Sequence, residues 1–123
     1  MATLTLETVT RNAAVKAATD LCNAGDIKFA TAGASEVAIC TFAATAFGAP
    51  ATGVVTAAAI ADDTTAIAGT VTQALLRTSA AATVMTADVT DVGGGGSFTM
   101  TNRVVGTGDT VSVTSLTVTM PAS

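Results

Sequence analysis

The sequence predicts a mainly β fold (α+β by element count), an antiparallel β-sandwich or barrel that carries one N-terminal α-helix. Three observations lead there. Apolar residues recur at steps of three and four only before Gly25. Beyond Gly25 they recur at every second position, the period of a strand with one face buried. Turn residues then punctuate the chain at short, fairly regular intervals, as in antiparallel sandwiches and barrels. The 123 residues fit one domain. It divides into a helix over 7–24 and a β-rich body over 26–121.

From Glu7 to Ala24 there is no Gly or Pro, and Ala, the strongest helix former, is frequent. Leu6, Val9, Ala13, Ala17 and Leu21 form one apolar stripe, and Arg11, Asn12, Lys16 and Asp20 a polar face. Thr5 is placed to cap the N-terminus. Asn23-Ala24-Gly25 is the stop, with Gly25 able to take the left-handed cap conformation. Ile27 and Phe29 alternate within 26–31, and 36–42 alternates again after the turn 32–35, so the two stretches make a hairpin. The stretch 43–53 contains Phe47, Gly48 and Pro50 and reads as a loop, because Pro lacks the amide hydrogen a central strand needs. Phe47 is expected to tuck that loop down.

A third strand is expected over 54–60, then a polar break at Asp62-Asp63. A second hairpin follows from 70–78 and 83–90 around the turn 79–82. Gly93–Gly96 reads as a mobile connector, since glycine loses the most entropy on ordering. The short strand 97–101 carries Phe98 and Met100 on one face, and 106–109 is a turn. The last and longest strand is expected over 110–120. Val111 and Val113 share one face, whereas Leu116, Val118 and Met120 share the other. That change of parity at Ser115 implies a bulge or a bend between two sheets. Pro121 ends the strand.

Half of the residues are hydrophobic but only 3% are aromatic, and Trp and Tyr are absent. Ala and Val each bury little area, and hydrophobic stabilisation scales with buried area. The core should therefore be thin, or be completed by partner chains. Charged residues make up 11%, against roughly 25% in an average domain. The resulting surface of Thr, Ser and Ala is poorly protected against association. A net charge of −4 with five scattered basic residues argues against nucleic-acid binding, which needs a basic stripe. Mean hydropathy is +0.61, yet Thr, Gly or Asp breaks every apolar run before the roughly 20 residues a membrane span needs. No membrane partner is expected. The opening residues lack the basic and apolar regions of a secretory signal, so synthesis in a cytoplasm is expected.

The chemistry of catalysis is thin. Without His there is no histidine base, no triad of the usual kind and no histidine metal site. Cys22 and Cys40 are either free and buried as small hydrophobes or joined in one disulfide. Asp62-Asp63 is the one adjacent acidic pair. Neighbours in a turn point apart, so it reads as a solvated turn rather than a glycosidase dyad. With Asp88 or Asp91 it could hold Ca²⁺, but an Asp-x-Asp-x-Asp-Gly loop is missing. Gly93–Gly96 lacks the Gly-Lys-Ser/Thr of a phosphate cradle. Thr110, Thr114, Thr117 and Thr119 could suggest an ice-binding row, but a bend at Ser115 separates them, and Thr favours strands in general. The expectation is a protein that is not an enzyme and has no catalytic, cofactor-binding or metal residues. The helix stripe packs on the chain's own sheet or joins several copies.

The helix around Arg11-Asn12-Ala13-Ala14, the Glu36-Val37-Ala38 strand and the Phe47-Gly48-Ala49 step resemble a family of small tailed-phage virion proteins. The strongest likeness is the ending, Gly108-Asp109-Thr110-Val111-Ser112-Val113-Thr114-Ser115-Leu116-Thr117-Val118-Thr119-Met120-Pro121-Ala122. The likeness runs the length of the chain. It implies a many-copy structural role, with decoration of the head as a cement protein preferred. It further implies the major capsid protein as partner, a homo-oligomer (a trimer suits the three-fold sites of a shell), and a place on the capsid surface after synthesis in the host cytoplasm. A tail or fibre component is the alternative. A carbohydrate-binding or adhesive module is an alternative of another class, weakened by the missing Trp and Tyr. The candidate contact residues are Leu6, Val9, Ala13, Ala17 and Leu21 on the helix and Val111, Val113, Leu116, Val118 and Met120 near the end.

Overall fold

The computed structural model describes residues 4–121. It is mainly β with one α-helix, and its strands form a curled mixed sheet, a half-barrel. Helix α1 spans Thr8–Asp20 and is followed by β1 (Asp26–Ala30), β2 (Glu36–Thr41), β3 (Val54–Thr56), β4 (Gly69–Thr70), β5 (Gln73–Arg77), β6 (Thr83–Asp91), β7 (Phe98–Met100), β8 (Val104–Val105) and β9 (Thr117–Thr119). The main sheet has the order β2-β1-β5-β6-β7, with β3–β9 and β4–β8 as separate two-stranded ribbons.

The helix is shorter than its composition allows. Glu7, not Thr5, is the N-cap, and it caps through backbone conformation without a side-chain hydrogen bond. Beyond Asp20 the chain tightens into turns in which Cys22 N–H donates to the Thr19 carbonyl and Gly25 N–H to the Cys22 carbonyl. The left-handed residue is Ala24 (φ 57°), not Gly25. Glycine is required at 25 for another reason: a Cβ there would lie 1.9 Å from the Arg77 carbonyl oxygen. The end of the helix thus sits directly on the end of β5.

Both predicted hairpins form. In β1–β2 the register pairs Ile27 with Cys40 and Phe29 with Ala38. In β5–β6 it pairs Ala74 with Ala87 and Leu76 with Met85. β1 and β5 pair antiparallel and join the hairpins, setting Asp26 opposite Arg77. Alternation places Ile27, Phe29, Ala74 and Leu76 inward, where they are buried. Phe29 and Phe98 meet edge to face with centroids 5.9 Å apart. They come from β1 and β7, which two strands separate within the sheet. A flat sheet with strands about 4.8 Å apart would hold those rings well apart, so the contact reports the curl.

Several expectations of strand extent and direction are corrected. The third strand ends at Thr56, and 70–78 divides into β4 and β5 because the chain changes partner there, β4 pairing with β8 and β5 with β1. The closing strand is only Thr117–Thr119, and the nine-residue β6 is the longest. The parity change at Ser115 is resolved by a break in regular structure, which lets Val111 and Leu116 both reach the core. The sheet is mixed rather than antiparallel, because β7 pairs parallel to β6, with Val89 opposite Phe98.

That parallel pairing explains the glycines. A parallel neighbour ordinarily needs a crossover of a dozen or more residues, but here the chain returns within 92–97. Gly93 (φ 91°) and Gly95 (φ 82°) take left-handed conformations. A Cβ on Gly94 or Gly96 would lie 2.8 Å from the Thr90 side chain. Gly96 N–H donates to Thr90 Oγ1 (3.1 Å) and Gly94 N–H to the Asp91 carbonyl (2.8 Å). The run expected to be a mobile connector is a specified return loop.

Candidate interaction surface

The two sets of candidate contact residues face opposite ways. Helix α1 packs inward through Val15 and Thr19, and the following turn through Cys22, all at most 1% exposed. The Thr19 hydroxyl is satisfied within the helix by the Val15 carbonyl (2.8 Å). The stripe expected either to pack on the chain's own sheet or to join copies is therefore the outer one, so it does not pack on the sheet. Val9 is 75% and Leu21 56% exposed, Ala13 and Ala17 are exposed, and only Leu6 is half-buried. The face that packs inward is not the longer Ala stripe but the one whose Val and Cys are backed by polar anchors. Asn12 Oδ1 accepts the Gly53 N–H (2.8 Å) and Asn23 Oδ1 accepts the Ala46 N–H (2.9 Å), tying this face to the 43–53 loop.

Val111 is 5% exposed, and Val113, Leu116, Val118 and Met120 are half-buried against the same core. The chain's own interior takes up these side chains. What their segment offers outward is backbone and the hydroxyls of Ser112, Thr114, Ser115, Thr117 and Thr119, all exposed.

The wall of the half-barrel can be followed by its hydrogen bonds. From β7 it runs through β6, β5 and β1 to β2. The outer edge of β2 is covered by 61–67: Ala61 N–H donates to the Thr41 carbonyl, Ile67 N–H to the Val37 carbonyl, and Ile39 N–H to Asp63 Oδ2 (2.7 Å). Asp63 and Val111 then exchange two backbone hydrogen bonds of 3.0 and 2.8 Å. Past Val111 the wall opens. A groove of about 320 Å³ lies between Ser112–Leu116 and β7, floored by Phe29, Phe98 and Val113. A second groove, of about 380 Å³, continues it along Thr101, Asn102, Val104, Val105 and Asp109–Ser112. Among the described residues, Ser112 to Ser115 make no backbone hydrogen bond.

Asp63 is the chemically most constrained acid. Its Oδ2 accepts from Ile39 N–H, and its Oδ1 from Thr65 N–H (2.8 Å) and the Thr65 hydroxyl (3.1 Å). These donors hold its carboxyl below the ordinary carboxylate range. The Asp62-Asp63 pair is thus half solvated, with Asp62 exposed and Asp63 acting as a staple. Asp63-x-Thr65 is an Asx-turn spacing and was the available signal. Asp26 and Arg77 form a two-point ion pair at 2.6 and 2.9 Å, which raises the guanidinium pKa further. Cys22 and Cys40 are free and buried, and burial pushes both thiols up. Cys40 Sγ donates to the Val111 carbonyl (3.4 Å). Among the described residues no three His, Cys, Asp or Glu side chains converge as a metal site, and no helix is long and apolar enough to cross a membrane.

Compared with models of protein families, with curated proteins and with solved structures, the chain has no match in any of the three.

Proposed function

We propose that the protein is a structural component of a tailed-phage particle, a decoration protein that binds the major capsid protein on the outside of the head and stabilises the shell. The observation that carries this reading is the closing stretch Gly108–Pro121, with its resemblance to small tailed-phage virion proteins. In the fold this stretch supplies Val111, which latches to Asp63, one wall of the groove, and strand β9, which closes on β3. The surface supports a protein that works by packing against others. It leaves Leu4, Val9, Leu21, Ile67, Val92 and Val104 more than half exposed on a chain with 11% charged residues.

Immunogold labelling of purified particles with an antibody to the protein tests the proposal. Gold over the head is expected, together with loss of shell stability when the gene is deleted. Gold along the tail would move the protein to a tail or fibre role, and unlabelled particles would end the virion reading.

A further inference from the structure

The break in the barrel wall has the form of a missing strand. The Val92 N–H bond to the Met100 carbonyl (3.2 Å) fixes the phase of the parallel β6–β7 ladder. In that phase Phe98 and Met100 turn their backbone groups toward β6, and Thr99 turns its N–H and C=O away from it, into the groove. The opposite wall, Ser112–Ser115, also has unused backbone groups. A strand placed between them would find partners on both sides. Its inward face would meet Phe98, Met100, Val113 and Leu116, all half-buried and packed on the core. Its outward face would meet water. The occupant must therefore alternate apolar and polar, and it need carry no charge, since the residues lining the groove between Ser112–Leu116 and β7 carry none.

This chain contains such a segment. Ahead of the helix, Ala2-Thr3-Leu4-Thr5-Leu6 alternates small or apolar with Thr and has no charge. Its described part, Leu4–Leu6, lies outside any helix or strand, and Leu4 is 80% exposed. Neither residue has its apolar side chain fully buried, although the pattern is that of a half-buried strand. We propose that the segment around Leu4–Leu6 of one copy adds as a strand to the groove between β7 and Ser112–Leu116 of a second copy, completing its barrel wall. The backbone at Thr99 and Ser112–Ser115 supplies affinity, and the alternation of Leu4 and Leu6 sets register. The contact concerns how copies join, and it stands or falls independently of any role in a phage particle.

Light scattering coupled to size-exclusion chromatography tests it on the full chain, with circular dichroism as the control for folding. The unaltered protein is expected to self-associate. The pair Leu4→Asp with Leu6→Asp, which charges the inserting face, is expected to raise the dissociation constant about tenfold or more. Thr99→Pro removes an N–H that no described neighbour uses, so it is expected to leave the fold intact and weaken association likewise. In a third variant, Leu6→Cys with Val113→Cys is expected to yield chains disulfide-linked to one another on oxidation. A monomer at all concentrations, association unchanged in both edge variants, or a cross-link formed only within one chain would each overturn the proposal.

Discussion

Asp63 shows how much one side chain can organise here. It accepts three hydrogen bonds from Ile39 and Thr65, and its backbone holds Val111. Because the folded carboxyl titrates below its ordinary value of 3.8, its contribution is fully present above that pH and is lost as pH falls through the folded pKa. Asp63→Asn is expected to cost about 1–2 kcal/mol near neutrality. It should also flatten the loss of stability on acidification, as measured by urea unfolding between about pH 6 and pH 2. Backbone strain gives an opposite prediction. Ala34 (φ 64°) and Ala81 (φ 64°) occupy the left-handed region in the two hairpin turns, where a Cβ is penalised. Replacing either by Gly is expected to raise stability by about 0.5–1 kcal/mol in denaturant titration. Gly25→Ala is expected to lower it by more than about 2 kcal/mol, because its Cβ would be driven into the Arg77 carbonyl.

At the scale of elements, α1 is the helix its spacing predicts, and of the two places open to its Ala stripe, the chain's own sheet or the outside, it takes the outside. Its two faces make the difference measurable. Val15→Ala is expected to cost about 2 kcal/mol, since Val15 is 1% exposed. Val9→Lys and Leu21→Lys on the outer face are expected to change stability by less than about 0.5 kcal/mol. Equal costs on the two faces would refute the packing described. The return loop 92–97 is the other element whose role needed three dimensions. Gly95→Ala is expected to cost about 1 kcal/mol from its φ of 82°. Gly96→Ala is expected to cost more and to loosen β7, because its Cβ meets Thr90 at 2.8 Å. Hydrogen exchange at Met100, which the ladder phase pairs with β6, would report the loosening.

Across the whole molecule, a core of small side chains is held by a few polar latches and two aromatic contacts, Phe29–Phe98 and Phe42–Phe47. The latches connect segments far apart in the chain: Asp26 to Arg77, Asp63 to Val111 and Asn12 to Gly53. Cys22 and Cys40 lie inside this framework with raised thiol pKa values. Both are therefore expected to react with a thiol reagent only as fast as the fold opens, and together with global unfolding rather than singly. Rapid labelling of either in the native protein would contradict the burial. The open side of the barrel belongs to this scale too, since no single element creates it. It arises because the hydrogen-bonded wall runs from β7 round to Val111 and stops.

What the sequence determined by itself was what depends on neighbouring residues. The helix near the start, both hairpins, the loop around Pro50, the irregularity at Ser115 and the mainly β class all follow from local period and turn chemistry. The candidate surface was legible only in part. The residues of the helix stripe and of the closing segment were singled out, but not which set faces water. Only the tertiary structure decided that Val15, Thr19 and Cys22 go inward, that β7 runs parallel to β6, that Asp63 staples three segments, and that Thr99 and Ser112–Ser115 find no backbone partner among the described residues. These are relations between positions distant in the chain. With so many Ala and Thr residues the faces differ little in hydrophobicity, so local pattern could not rank them, and contacts across the fold did.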